Sequence, residues 1–390
     1  MTALIRQFRD FFISLRLTVF LLGLSIILVF WATLAQTDLG VYGVQQKFFH
    51  SLFIMQKFPG TDFLFPVFPG GYFIGGLLFI NLIIAQFSRL KLSWKKFGIW
   101  TTHLGLIMLL VGELLSGLLQ QDNDMVLDNG QTKNYAESMR QNEFVVTDVT
   151  DPKTDDVTSI PIDTVADLKT VQLPNIPFQI IPRTFYPNAA IANRTQAPNA
   201  PVSAATQGVG TQTVLMPLAE TVKDNERNEP AALIELVGSE GSLGTWLVSA
   251  DPAMPVQKFD YKGKTWKIAM RATRRYLPFS LTLVKFSHDV YQGTDIPKNF
   301  SSLVRINEEN TKSSREVLIY MNNPLRTHGL TFYQSGFANQ DRTAILQVVR
   351  NPSWQLPYIA CLLMTAGLLF QFSIHLFGFF SRRKPEVSLT

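Results

Sequence analysis

Four long apolar runs break up an otherwise polar chain. They are Leu17 to Ala35, Gly70 to Phe87, Phe97 to Leu119 and Leu356 to Phe380. A helix rises ~1.5 Å per residue and a bilayer core is ~30 Å thick, so ~20 apolar residues suffice to cross it. Each run predicts a membrane-spanning helix. The first, at 19 residues, is longer than the ~7–15-residue core of a signal peptide, so it reads as a retained span rather than a cleaved one. Between the third and fourth runs the period changes to that of strands. Alternating or β-branched stretches fall at Phe144–Val149, Ala232–Val237, Thr245–Val248, Thr265–Met270, Ser280–Phe286, Val317–Met321 and Leu330–Tyr333. Pro, Gly, Asn and Asp separate them, which predicts a sandwich or open barrel of several short strands. Tyr186–Thr213 has neither period and predicts a long loop. The short stretch Val44–Met55 is amphipathic and is expected to lie on the outer membrane face.

The fold class read from this pattern is an integral membrane protein with four α-helical spans and a large β-rich extracytoplasmic domain between spans 3 and 4. Its parts are residues 1–119 with three spans, the domain 120–355, and residues 356–390 with the fourth span and a tail. Charge agrees with that division. Residues 120–355 hold 23 Lys/Arg and 25 Asp/Glu, whereas the remaining parts hold 12 and 5. Basic residues sort by side. Arg6, Arg9, Arg16, Arg89, Lys91, Lys95, Lys96, Arg382, Arg383 and Lys384 would share one face, against Lys47 and Lys57 on the other. The excess of Lys and Arg marks the cytoplasmic side, so both termini are expected inside and residues 120–355 outside.

Composition excludes several functions. Only 17% of the 390 residues are charged and 46% are hydrophobic, which does not fit a disordered or nucleic-acid-binding tail. A single cysteine, Cys361, excludes an internal disulfide, a CxxC redox pair and a cysteine zinc site; it reads as a small hydrophobe. No GxxxxGK[ST], HExxH, GxSxG or CxxCH motif occurs, so no catalytic residue is assigned.

Five histidines remain: His50, His103, His288, His328 and His375. His103 is seven residues past Lys96, and His375 seven before Arg382. Both are therefore expected ~10 Å inside the membrane. Ionisable groups at such depth are costly and usually face protein or water. A neutral imidazole offers one lone-pair nitrogen, which suits haem iron, while its other nitrogen can donate to a carbonyl or hydroxyl. Thr101 and Thr102 are the local candidates near His103. The alternative is an interhelical hydrogen bond. Matched depth permits a pair formed by His103 and His375 without establishing that they face. Glu113 is a second intramembrane ionisable group, either in a polar path or snorkelling. Asn81 reads as a helix–helix hydrogen-bonding residue, and Gly75, Gly76, Gly105, Gly112 and Gly117 as close-packing positions. His328 sits in a turn, as a contact or a solvated side chain, and His288 beside Asp289 reads as an exposed polar pair. Trp31, Trp94, Trp100 and Trp354 fall near span ends, where interfacial tryptophans belong.

Three segments carry a resemblance. HLGLIMLLVGELLSG lies in the third span, and IPKNFSSLVRINEE and EVLIYMNNPLRTHGLTFYQSGF lie in the outside domain. With three spans, a β-rich domain and a closing span, the chain resembles the ResB (CcsB) family of system II cytochrome c biogenesis proteins. The resemblance implies work with a ResC/CcsA-type membrane subunit, which this chain does not contain. It also implies outward transport of haem b, held transiently, and help in joining it to apocytochrome c. His103 matches the family's histidine in the third span, an axial haem ligand there. His375 matches no family ligand, and His328 lies in the family-like stretch without an assigned role. The chain then reads as a non-catalytic or half-site subunit of a cytochrome c haem lyase, with lipid, the membrane subunit and apocytochrome as partners and no nucleic acid. The rival readings are a haem-free scaffold that docks apocytochrome or steadies the partner, and a b-type electron-transfer protein using both His103 and His375.

Overall fold

A computed structural model describes residues 2–89, 93–195, 203–223, 226–293, 297–308, 313–339 and 342–382. Of the orientation residues, Lys91, Arg383 and Lys384 lie outside the described residues, as do residues 196–202 of the expected loop. The chain begins with α1 (Thr2–Phe12) and α2 (Leu15–Val44), then a hairpin of β1 (Phe53–Lys57) and β2 (Leu64–Pro69). Helices α3 (Gly71–Arg89) and α4 (Phe97–Leu119) follow. Next come β3 (Gln121–Asp128), β4 (Thr132–Asp148), β5 (Asp156–Pro161), α5 (Ile162–Ala166), β6 (Gln179–Tyr186), β7 (Ala189–Asn193) and β8 (Thr213–Pro217). The second half of the β region comprises β9 (Ala231–Gly238), β10 (Gly241–Ser249), β11 (Gln257–Tyr261), β12 (Lys264–Val290), β13 (Pro297–Glu308), β14 (Ser313–Tyr320), β15 (Leu325–Thr327), β16 (Leu330–Ala338) and β17 (Thr343–Arg350). Helix α6 (Leu356–Arg382) closes the chain.

Two units separate. One comprises residues 1–121, 222–224 and 351–390, and the other residues 122–221 and 225–350. In the first, the stretches Leu15–Phe49, Gly71–Ser88, Trp94–Leu119 and Leu356–Ser381 are each long and apolar enough to cross a membrane. The first exceeds its expected end at Ala35 because the helix continues to a kink at Gly40, which takes φ 70°, and then a wide turn over Gln45–Phe49. Val44–Met55 is accordingly no flat amphipathic segment. Half of it finishes this helix and half opens the β1–β2 hairpin. Trp31 likewise does not mark a span end; it meets Phe48 and Phe68 edge-on at 5.4 and 6.2 Å. Asn81 holds helices together as expected. Its amide donates to the Phe12 carbonyl, and its oxygen accepts from the Thr18 hydroxyl at 2.8 Å. Such bonds are worth ~0.6–2 kcal/mol where water is absent.

The second unit is built on a ten-stranded antiparallel sheet. Its path is β14-β13-β12-β4-β3-β17-β16-β15, with β11 added on β12 and β5 on β4. A three-stranded sheet β10-β9-β6 and a ribbon β7-β8 complete it. All seven expected strand runs are strands. Two of them, Thr265–Met270 and Ser280–Phe286, are parts of one 27-residue strand, β12. The long strand serves two cores. Trp266, Ile268 and Met270 are buried with Phe144, Ile234 and Trp246. Leu277, Phe279, Leu281 and Leu283 are buried with Leu127, Phe332 and Leu346. Inward positions thus switch from even to odd numbers, and register shifts between Ala272 and Arg274 and between Tyr276 and Leu281 are what permit it. With a side-chain period of two, one unmatched residue turns every later side chain to the other face. The sheet also curls, so that Val304 and Ile319 from one end share a core with Leu330 and Phe332 from the other. Tyr186–Thr213 is not the loop expected: Ala189–Asn193 pairs with Thr213–Pro217, and Gly208–Gln212 forms a short helix.

Candidate functional site

Helices α4 and α6 are joined through glycines. A Cβ on Gly98 would stand 2.5 Å from the Gly367 carbonyl oxygen and 2.6 Å from Gln371 Cβ. One on Gly105 would stand 2.7 Å from Met364 Cγ, and one on Gly112 3.0 Å from Leu356 Cβ. The heptad spacing keeps these three on one side of the helix. Of the other expected packing glycines, Gly75, Gly76 and Gly117 meet nothing within 4 Å, so close packing belongs to the α4–α6 seam.

His103 lies roughly 150° round α4 from that seam, at ~100° per residue. It is half-buried. Its Nδ1 is 2.8 Å from the Ile99 carbonyl oxygen, one turn back. A carbonyl only accepts, so Nδ1 carries a proton, and in the neutral form of the ring the lone pair lies on Nε2. Thr101 and Thr102 do not serve this role. Their hydroxyls donate to Phe97 and Gly98 carbonyls, each at 2.9 Å. The donor set fits an iron that needs one axial imidazole nitrogen, because the tautomer is fixed by the backbone.

The structure does not bring His375 to His103. The contacts of Gly98 with Gly367 and Gln371, and of Gly105 with Ala360 and Met364, set an antiparallel register. His103 then stands level with about Met364, roughly eleven residues or ~16 Å from the level of His375. His375 is exposed, and its Nε2 accepts from the Gln371 amide at 3.0 Å. Sequence reasoning missed Gln371. Its amide also donates to the Lys95 carbonyl at 3.2 Å, and its oxygen accepts from the Ile99 N–H at 3.3 Å. It thereby satisfies one of the unpaired donors in the first turn of α4. A glutamine inside an apolar run was the available signal.

The other candidates lie elsewhere. Glu113 is exposed on α4, and Cys361 is exposed on α6. His50 stacks on Tyr72 at 5.4 Å. His328 is exposed and stacks on buried Phe279 at 4.9 Å. It forms, with Gly329, the two-residue turn between Thr327 and Leu330, with φ of 51° and 73°. Both positive values are those of the primed turn that suits a hairpin. His288 is not the exposed polar residue expected: it is half-buried between Phe300 and Phe337, at 4.8 and 4.6 Å. Among the described residues no group of three or more His, Cys, Asp or Glu could hold a metal ion.

Comparison with known proteins bears on the β region. The ResB-like family matches residues 244–344, which run from β10 into β17. This stretch belongs to the ResB-like family. The ResB-like stretch contains His288 and His328, whereas His103 and His375 lie outside it. A segment of 93 residues is 32% identical to Protein NrfI of Wolinella succinogenes; it covers 24% of this chain and 10% of that protein. The match thus spans about a tenth of the curated relative's length.

Proposed function

We propose that this ResB-like membrane protein takes part in cytochrome c biogenesis, as the subunit that carries haem outward and assists its attachment to apocytochrome c. The observation that carries the reading is the hydrogen bond from His103 Nδ1 to the Ile99 carbonyl. With Nδ1 committed to Ile99, the ring in its neutral form would offer Nε2 to iron, from a position roughly opposite the α4–α6 seam on a helix long enough to span a bilayer. Haem is the cargo, and an axial nitrogen between apolar helices would retain it in transit. The face bearing His103 is the place for a helix of a ResC/CcsA-type subunit, which would supply the second ligand. The basic excess at the Lys95–Lys96 end sets that end in the cytoplasm, with residues 120–355 outside to meet apocytochrome c. The register separation of His103 from His375 argues against one haem held by both, as a b-type cytochrome would need.

The test is the absorption spectrum of the detergent-purified protein, alone and with its partner subunit, comparing wild type, His103→Gly and His375→Ala. Haem absorbance that falls in His103→Gly, returns with imidazole and persists in His375→Ala supports the proposal. Normal haem absorbance and cytochrome c maturation in His103→Gly would remove His103 from haem handling and favour a haem-free scaffold.

A further inference from the structure

In the second unit, β11 and β12 pair so that Lys258 stands directly opposite Lys267. Like charges at directly opposed positions repel and weaken a strand pair. Neither lysine forms an ion pair among the described residues, although two nearby arginines do. Arg271 is bound to Glu143 at 2.8 Å and Arg274 to Glu137 at 2.9 Å. Both lysines and both arginines line one cavity of about 910 Å³. Asp155 is the single carboxylate among its described lining residues and forms no ion pair with either lysine. The rest of the wall includes Val145, Val157 and Val256. The volume falls in the ~300–1,000 Å³ range of small-molecule sites, which combine apolar walls with a few placed charges.

We propose that this cavity binds a small amphiphilic carboxylate, whose acid group bridges Lys258 and Lys267 while its apolar body lies on the valines. The opposed lysines cost stability in the empty strand pair, and a shared anion would convert that repulsion into two charge-assisted hydrogen bonds. The site goes beyond the haem-handling reading and does not rest on His103. Most of its walls lie in the ResB-like stretch.

The experiment uses the full-length protein in detergent and metal-free protoporphyrin IX, which has two carboxylates and no iron for His103 to hold. Its dimethyl ester has the same body without charge. Binding is followed by porphyrin fluorescence, with the micelle background subtracted. The acid should bind at least tenfold more tightly than the ester. Lys258→Glu should remove that preference while melting no lower than wild type, because the introduced carboxylate would pair with Lys267. Lys258→Gln should weaken the acid without removing the fold, and His103→Gly should leave acid binding unchanged. Equal binding of acid and ester, or an acid affinity unaltered by Lys258→Glu, would overturn the proposal. Loss of acid binding in His103→Gly would also overturn it, by moving the porphyrin to the membrane unit.

Discussion

The α4–α6 seam makes a graded prediction from one substitution type, glycine to alanine. At Gly98 the added Cβ would meet the Gly367 oxygen at 2.5 Å and the Gln371 nitrogen at 2.8 Å. At Gly367 it would meet Thr102 Oγ1 at 2.6 Å and the Gly98 oxygen at 2.7 Å. Backbone atoms cannot rotate aside, and an ordinary carbon contact needs ~3.5 Å. The helices must therefore part locally by ~1 Å. Overpacking of that size costs ~1–3 kcal/mol, against a helix-propensity gain of up to ~1 kcal/mol for alanine. Gly98→Ala and Gly367→Ala should each lose ~1–2 kcal/mol. Gly105→Ala should lose about 1 kcal/mol, since Met364 Cγ can move but the Ala360 oxygen at 2.9 Å cannot. Gly112→Ala, whose nearest neighbour is the Leu356 Cβ at 3.0 Å, should be close to neutral. Gly75→Ala and Gly76→Ala, in open space, should be neutral or stabilising. The assay is unfolding of the purified protein in mixed micelles with rising SDS, followed by circular dichroism. Gly98→Ala as stable as wild type, or Gly75→Ala as damaging as Gly98→Ala, would refute the close-packed seam.

Further outcomes follow from the same contacts. Glu143 is nearly buried under Arg271 and also accepts from Ser159 at 2.6 Å, so Glu143→Ala should cost ~3 kcal/mol and Glu143→Leu with Arg271→Met should recover most of it in thermal melts. Burial, followed by the nearby Asp122, raises the Asp124 carboxyl above its ordinary 3.8. The folded state then holds more protons between 3.8 and that higher value, and stability falls as pH rises through the window. Asp124→Asn should therefore stabilise at pH 7, with the gain vanishing below pH 3.8. Asp148 has the opposite sign. Hydrogen bonds from Lys264 and Thr150 lower it to about 2, so the stability lost in Asp148→Asn should be present at neutral pH and disappear as pH falls from 3.8 to 2, read from melts across pH. In a Cys361→Ala background, Gly112→Cys with Leu356→Cys should form a disulfide on mild oxidation, because the Cβ positions, 3.0 Å apart, need part by less than ~1 Å to reach the ~3.8 Å of a disulfide. His103→Cys with His375→Cys should not, and a cross-link there, read by mass spectrometry, would break the register.

Much of the fold was legible because solvent wrote it into the pattern. Apolar length marked the four spans, and alternation marked the strands whose inner face is buried. What stayed hidden lacked that contrast. β3 reads QDNDMVLD, yet Asn123, Met125 and Leu127 point inward; three aspartates and an asparagine hide the alternation. The first half of β4 is polar and gave no alternation. β12 looked like two strands because its register shifts change which residues face inward, and that reads as an interruption. β7 is a strand of small residues in a two-stranded ribbon, and of its own positions only Ala189 is fully buried.

The membrane site shows a different limit. Counting residues from basic anchors gave His103 and His375 one depth, because each stands seven residues from such an anchor. The count assumes that both anchors sit at one level, and helix contacts show that they need not. Gly98, two residues after Lys96, already lies against Gly367 and Gln371, so α6 extends more than a turn past the start of α4 before reaching Arg382. Depth along one helix is a property of its own sequence. Azimuth and register belong to pairs of helices, and they are set by where backbones can touch. The glycine heptad 98, 105, 112 carried that information. Taken together, the three fix which side of α4 faces α6, and they set His103 roughly opposite it.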